Sequence, residues 1–162
     1  MEQVWSKERL EEHLPELSSV DYVVTSRADK RYNCVAWAAG SDRHWWQPDR
    51  YWPLSDRSDE STVAYIRAFA SLGYEECTSS DLEPGFEKVV LYESSDGLVE
   101  HAARQLPNGR WTSKLGKLQD IEHGTPEALH VIFSYGRVAA ILKRPREWAL
   151  TRPLARTATE SR

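Results

Sequence analysis

Cys34 lies in the run Tyr32-Asn33-Cys34-Val35-Ala36-Trp37-Ala38-Ala39-Gly40. Asn33 is a favoured N-cap, the residues after Cys34 are apolar, and Gly40 is a natural stop, so the run predicts a short buried helix with Cys34 in its first turn. A cysteine there meets free backbone N–H groups and the positive end of the helix dipole, and both favour thiolate over thiol. The thiolate is the attacking species in covalent catalysis, so the placement predicts a nucleophile. Such a cysteine needs a histidine distant in sequence and near in space. Of the five histidines, His101 is best placed, in a strand-like run just before Ala102 and Ala103, small neighbours that let a helix approach closely. An imidazolium there would stabilise the thiolate and later protonate a leaving group. The backbone N–H of Cys34 plus one further donor would form an oxyanion hole, and Tyr32 is a candidate donor or substrate contact.

Two residues compete to orient His101. Ser113 offers a hydroxyl on the following strand, while Asp120, seven residues later, is the chemically stronger orienter. Trp45, Trp46 and Trp52 stand in an aromatic tract and could line a substrate groove, or form a satellite core beneath a long loop. Lys114, in the turn-like run Ser113-Lys114-Leu115-Gly116, reads as an exposed lysine, and Cys77 as a packing residue. His123 and His130 lack metal-ligand spacing with a third ligand, so neither a metal nor another cofactor is expected.

The elements that must position these groups can be read in chain order. Ser6 caps a first helix of about two turns, and residues 21–24 are a short extended piece. Beyond Gly40, the tract Asp42 to Leu54 is irregular and aromatic-rich, with Pro48 and Pro53 as breakers. Residues 60–72 carry Tyr65, Ile66, Phe69 and Leu72 at helical spacing, with Asp59 or Ser61 as cap and Gly73 as stop. Strands follow at Lys88–Tyr92, Leu98–Leu106 and Arg110–Leu115, the last two joined by Pro107-Asn108-Gly109, a hairpin signal. Asp120-Ile121 begins another strand, Thr125–Phe133 is ambiguous between helix and strand, and Arg137–Leu142 reads as a final buried strand. Residues 1–150 are expected to form one domain, with a loose polar tail over 151–162. Helices first and an antiparallel sheet afterwards predict an α+β fold with the helices packed on one side.

The order of motifs resembles the NlpC-type endopeptidases of the papain-like cysteine hydrolase superfamily. The lead-in and capping Cys correspond to Tyr32-Asn33-Cys34-Val35-Ala36-Trp37. The turn entering the first strand corresponds to Asp81-Leu82-Glu83-Pro84-Gly85 before Val89-Val90-Leu91-Tyr92. The histidine strand and its turn correspond to His101 and Pro107-Asn108-Gly109, and the third polar position falls on Ser113. The resemblance spans roughly residues 30 to 125. The chain departs from the pattern at Phe86, where an Asp is usual, at Val35, where a small residue is usual, and at Ser113, where His, Asn or Gln is usual. The resemblance implies a papain-like α+β fold and cleavage of an amide bond in a peptide or peptidoglycan-type substrate. An acyl transferase on the same site, or an inert binding module retaining the fold, are the alternatives.

Composition narrows the field. With 40% hydrophobic and 28% charged residues the chain is globular in character. A net charge of −4 with both signs mixed gives no footprint for nucleic acid and no polybasic membrane patch. No stretch has the length of a membrane span. The acidic start, MEQVWSKERLEEHLPEL, lacks the basic beginning and apolar run of a signal peptide, so a cytoplasmic protein with reduced thiols is expected, with a signal-less export route left open. No protein partner can be named from the sequence.

Overall fold

The computed structural model describes residues 7–147. The Ser6 cap and the expected tail over 151–162 lie outside the described residues. Helix α1 (Lys7–His13) is followed by a 3-10 turn, Pro15–Ser19, and by strand β1 (Tyr22–Val24). Helix α2 (Cys34–Ala38) and helix α3 (Thr62–Ala70) flank the aromatic loop. Then come β2 (Glu75–Cys77), β3 (Phe86–Glu93), β4 (Val99–Gln105), β5 (Trp111–Lys114) and β6 (Asp120–His123). Two 3-10 turns, Pro126–Val131 and Phe133–Tyr135, lead into β7 (Arg137–Pro145).

The strands form one antiparallel sheet in the order β1-β6-β5-β4-β3-β7-β2. In β3, flanked by β4 and β7, alternation sends Val89 and Leu91 to one face and Val90 and Tyr92 to the other, all fully buried. Val89 and Leu91 meet Val35, Ala36, Tyr65 and Phe69 of α2 and α3. Val90 and Tyr92 meet Leu10, Leu17, Leu129 and Ile132 from α1 and the 3-10 turns.

This architecture corrects the expected fold. The described residues form a β-rich, seven-stranded antiparallel sheet with three short α-helices, and not the α+β papain-like arrangement of helices packed on one side of a sheet. Three features explain the difference. Strand β1 precedes α2, so the chain does not divide into a helical half and a strand half. Both faces of β3 are apolar and both need cover. The α-helices, of seven, five and nine described residues, are too short to form a layer of their own.

Other local corrections follow from burial. Thr125–Phe133 is neither an α-helix nor a strand but the 3-10 turn Pro126–Val131, capped by Thr125. Strand β7 is not buried throughout, because alternate residues face solvent. The expected turn at Ser113 begins later, since Ser113 and Lys114 still belong to β5. Lys114 is fully buried, with its ammonium donating to the Asp29 and Gly116 carbonyls and standing 4.9 Å from the Tyr32 ring centroid. No helix among the described residues is long and apolar enough to cross a membrane.

Candidate functional site

Helix α2 is short, so its ends are fastened by specific bonds. Asn33 Oδ1 accepts the Ala36 N–H at 3.1 Å, a cap that contributes about 1 kcal/mol. The same Asn33 amide holds the backbone of Trp46, donating to its carbonyl at 2.8 Å and accepting its N–H at 3.0 Å. At the other end Gly40 takes φ 88°. Its N–H reaches the Trp37 carbonyl at 3.0 Å, and the Ser41 N–H reaches Ala36 at 2.8 Å, which closes the helix as a Schellman motif. On its sheet side, Trp37 Nε1 donates to Thr112 Oγ1 at 2.9 Å and Arg104 Nε donates to the Trp37 carbonyl at 3.3 Å. These bonds fix Cys34 beside β4.

The registered pairing of β4 with β5 covers Arg104 and Gln105. Nearer the start of β4 a cavity of about 290 Å³ opens, with Cys34, His101, Trp45 and Tyr135 among its walls. A larger cleft of about 860 Å³ adjoins it and shares Glu100 as a lining residue.

His101 is fully buried. Its ring stacks on Tyr135 at 4.1 Å with an interplanar angle of 3°, and Tyr92 packs against it at 5.1 Å. Its Nε2 lies 3.0 Å from Ser113 Oγ. Ser113 Oγ in turn lies 2.8 Å from His123 Nε2, and His123 Nδ1 lies 2.9 Å from the Thr125 carbonyl. The direction of this chain follows from its last member. A carbonyl only accepts, so His123 Nδ1 carries a proton. Burial pushes the His123 pKa down to about 4, so the ring is neutral and its Nε2 accepts from the Ser113 hydroxyl. The Ser113 oxygen then accepts from His101 Nε2–H. Burial, and next the nearby His123, hold His101 well below the usual histidine range. A neutral His101 protonated at Nε2 has a bare Nδ1, and that nitrogen has no hydrogen-bond partner.

Burial also pushes the Cys34 thiol up to about 11, against the pull of the backbone N–H groups of Ala102, Val35 and Cys34 itself. The expected thiolate–imidazolium pair is therefore not the resting state, because desolvation disfavours both ions. A neutral thiol and a neutral imidazole line one cavity, with no hydrogen bond between them. Both cysteines are free.

The structure sorts the remaining residues. Ser113, and not Asp120, is the partner of His101. Asp120 alternates onto the face of β6 that looks toward α2, where it accepts the Tyr32 hydroxyl at 3.0 Å to one oxygen and 3.2 Å to the other. Tyr32 is thereby committed to Asp120 and buried, which argues against its expected service as an oxyanion donor. Of the three tryptophans, Trp45 alone lines the cavity. Trp46 packs on Phe69 and Trp52 on Tyr65 inside the α2–α3 core. His123 and Tyr135 are the members that sequence reasoning missed. The signal for His123 was its odd-numbered alternation with Ile121, which follows once strand register is fixed. Among the described residues no group of three His, Cys, Asp or Glu side chains is placed to hold a metal ion.

The fold and site define a β-rich protein with a buried histidine–serine–histidine relay whose His101 lines the same cavity as Cys34. The chain belongs to the DUF7689 family, described as a domain of unknown function, whose family model matches residues 23–143. Neither a curated protein nor a solved structure matches it.

Proposed function

We propose that the protein is a cysteine hydrolase of amide bonds in peptide-like substrates, with Cys34 as nucleophile and His101 as base. The observation that carries this reading is that His101, whose Nδ1 has no hydrogen-bond partner, lines the same cavity as Cys34. The likeness to NlpC-type enzymes proposed here is one of chemistry, not of fold.

In this reading the Cys34 thiol gives its proton to His101 Nδ1 as the sulfur attacks the substrate carbonyl. The two groups share no hydrogen bond at rest, so the transfer needs one bridging water or a shift on substrate binding. The C–N bond then breaks, the amine leaves with the proton from His101, and a thioester remains on Cys34. Water, deprotonated by the same nitrogen, releases the acid and restores the thiol. Ser113 and His123 act as positioning residues that keep the proton on Nε2. The acidic balance of the chain argues for a peptide-like substrate over nucleic acid.

The test uses p-nitrophenyl acetate as acyl donor. A burst of p-nitrophenol equal to the enzyme, with acetyl mapped to Cys34 by mass spectrometry and lost in Cys34→Ala, is expected. Acetyl spread equally over Cys77 and lysines, with no burst, would overturn the reading. A second reading, an inert binding module, is favoured by the thiol pKa of about 11, and survives only if Cys34→Ala leaves the biological activity intact.

A further inference from the structure

Lys114 carries a charge that the acyl-transfer chemistry does not use. It is fully buried at the end of β5. Its ammonium is held between two stretches of backbone, donating to the Asp29 carbonyl and to the Gly116 carbonyl. Both stretches lead to Cys34. Gly116 lines the cavity that Cys34 also lines. Asp29 begins the segment that runs through Tyr32 and Asn33 into α2, and the Tyr32 ring centroid lies 4.9 Å from the same ammonium. Two carbonyls solvate the charge without cancelling it, and among the described residues Lys114 forms no ion pair.

The other charged groups nearby are engaged elsewhere. Asp120, which pairs with Lys114 across β5 and β6, accepts the Tyr32 hydroxyl. On the same sheet face Arg104 stands over the Trp37 ring, and Glu122 pairs with Arg110. The remaining titratable groups in the Cys34 cavity are Glu60, Glu100, His101, Tyr65 and Tyr135. None supplies a cation, since burial, and next His123, hold His101 neutral. Burial dominates the Cys34 pKa, and against it stand the backbone N–H groups and then the Lys114 charge. As the sulfur loses its proton and attacks, negative charge grows on it. A cation already fixed in place stabilises that charge without reorganising.

We propose that Lys114 is a positioning residue for the nucleophile, a fixed cation that ties the approach to α2 against the cavity wall and stabilises negative charge forming on the Cys34 sulfur. The inference rests on the proposed role of Cys34 and adds a group to that site.

Alkylation by iodoacetamide reads this role. A C–S bond forms at Cys34, the C–I bond breaks with loss of iodide, and the thiol proton passes to His101. Labelling of the intact protein is followed by mass spectrometry across neutral and mildly alkaline pH, with Cys77 as internal reference. Burial pushes the Lys114 pKa down to about 8, against the pull of Asp120, Asp29 and Cys34, so its charge is present at neutral pH and lost as pH rises through that value. Cys34 should label about tenfold faster in the unaltered protein than in Lys114→Met at neutral pH, as a partial charge on sulfur would feel in an effective dielectric of about 20. The two rates should converge once Lys114 is neutral. Lys114→Arg, whose charge does not titrate there, should keep the faster rate throughout. Equal rates at neutral pH, or a ratio that stays constant with pH, would overturn the role of Lys114 and leave the nucleophile standing.

A companion measurement needs no variant. Iodoacetate leaves a carboxylate on Cys34, whereas iodoacetamide leaves an uncharged amide of nearly the same size. Lys114, followed by NMR of its ε-methylene, should titrate about one pH unit higher in the carboxylate adduct, the same tenfold effect read from the other partner. Identical titrations in the two adducts would overturn the role of Lys114. A Cys34 that resists iodoacetamide while Cys77 reacts would overturn both Lys114 and the nucleophile.

Discussion

Ser113 Oγ stands 3.0 Å from His101 Nε2, on the face of the sheet opposite the one where Asp120 meets Tyr32. The two residues that compete on paper to orient His101 are therefore separated by the thickness of the sheet. Ser113 also joins His101 to His123, so one hydroxyl fixes the proton positions of two buried rings.

Ser113→Ala removes the shared partner of two buried nitrogens. It should cost about 1–3 kcal/mol of stability and slow acylation of Cys34. Asp120→Asn, which keeps an acceptor for the Tyr32 hydroxyl, should leave the acylation rate near that of the unaltered protein. Urea unfolding midpoints and the burst with p-nitrophenyl acetate measure both. Equal losses of rate in the two variants would contradict the assignment of Ser113.

The buried histidines make stability depend on pH in one direction. Their folded pKa values lie below the unfolded value, so the unfolded chain binds more protons as the medium turns acid. Stability is full above pH 6.5 and is lost as pH falls from there toward about 4, the folded value for His123. His123 alone should account for a loss on the order of 3 kcal/mol across that window. Thermal melts along this range check it, and a His123→Asn protein should show a flatter profile.

Gly136 takes φ 78°, and a Cβ there would collide with the Glu93 carbonyl and the Ser94 nitrogen. Both strain and overlap oppose any side chain at this entry to β7. Gly136→Ala should destabilise the protein by more than about 2 kcal/mol, read from its denaturation midpoint.

The three tryptophans should separate by stability. Trp46 and Trp52 are core residues, and replacing either with Ala should cost about 3–5 kcal/mol. Trp45 is partly exposed at the cavity, so Trp45→Ala should cost less than about 1 kcal/mol and act on labelling at Cys34 instead. Similar melting temperatures for all three variants would count against this division.

Much of the local structure was legible in the residues. Asn33 and Gly40 bound α2, Ser61 caps α3, and Pro107-Asn108-Gly109 turns β4 into β5, as their chemistry predicts. The choice of Ser113 over Asp120 was legible too, if register is followed. The turn pairs Leu106 with Arg110, so the odd-numbered residues 101, 103 and 105 share a face with 111 and 113. Lys114 then pairs with Asp120, which puts Asp120 on the other face, because side chains alternate with period two. The two-faced sheet was not legible, since α1 and the 3-10 turns that cover Val90 and Tyr92 lie far from them in sequence. The thiol pKa was misjudged for a related reason. A helix start favours thiolate, but burial against β4, a tertiary effect, outweighs five residues of helix.

The protonation of His101 tests the account most directly. Isotope-labelled imidazole NMR that correlates ring nitrogens with ring protons distinguishes the two neutral tautomers from the cation. At neutral pH the account predicts His101 protonated at Nε2 with a bare Nδ1, and His123 protonated at Nδ1. A His101 that carries its proton on Nδ1, or an imidazolium at either position, would contradict it.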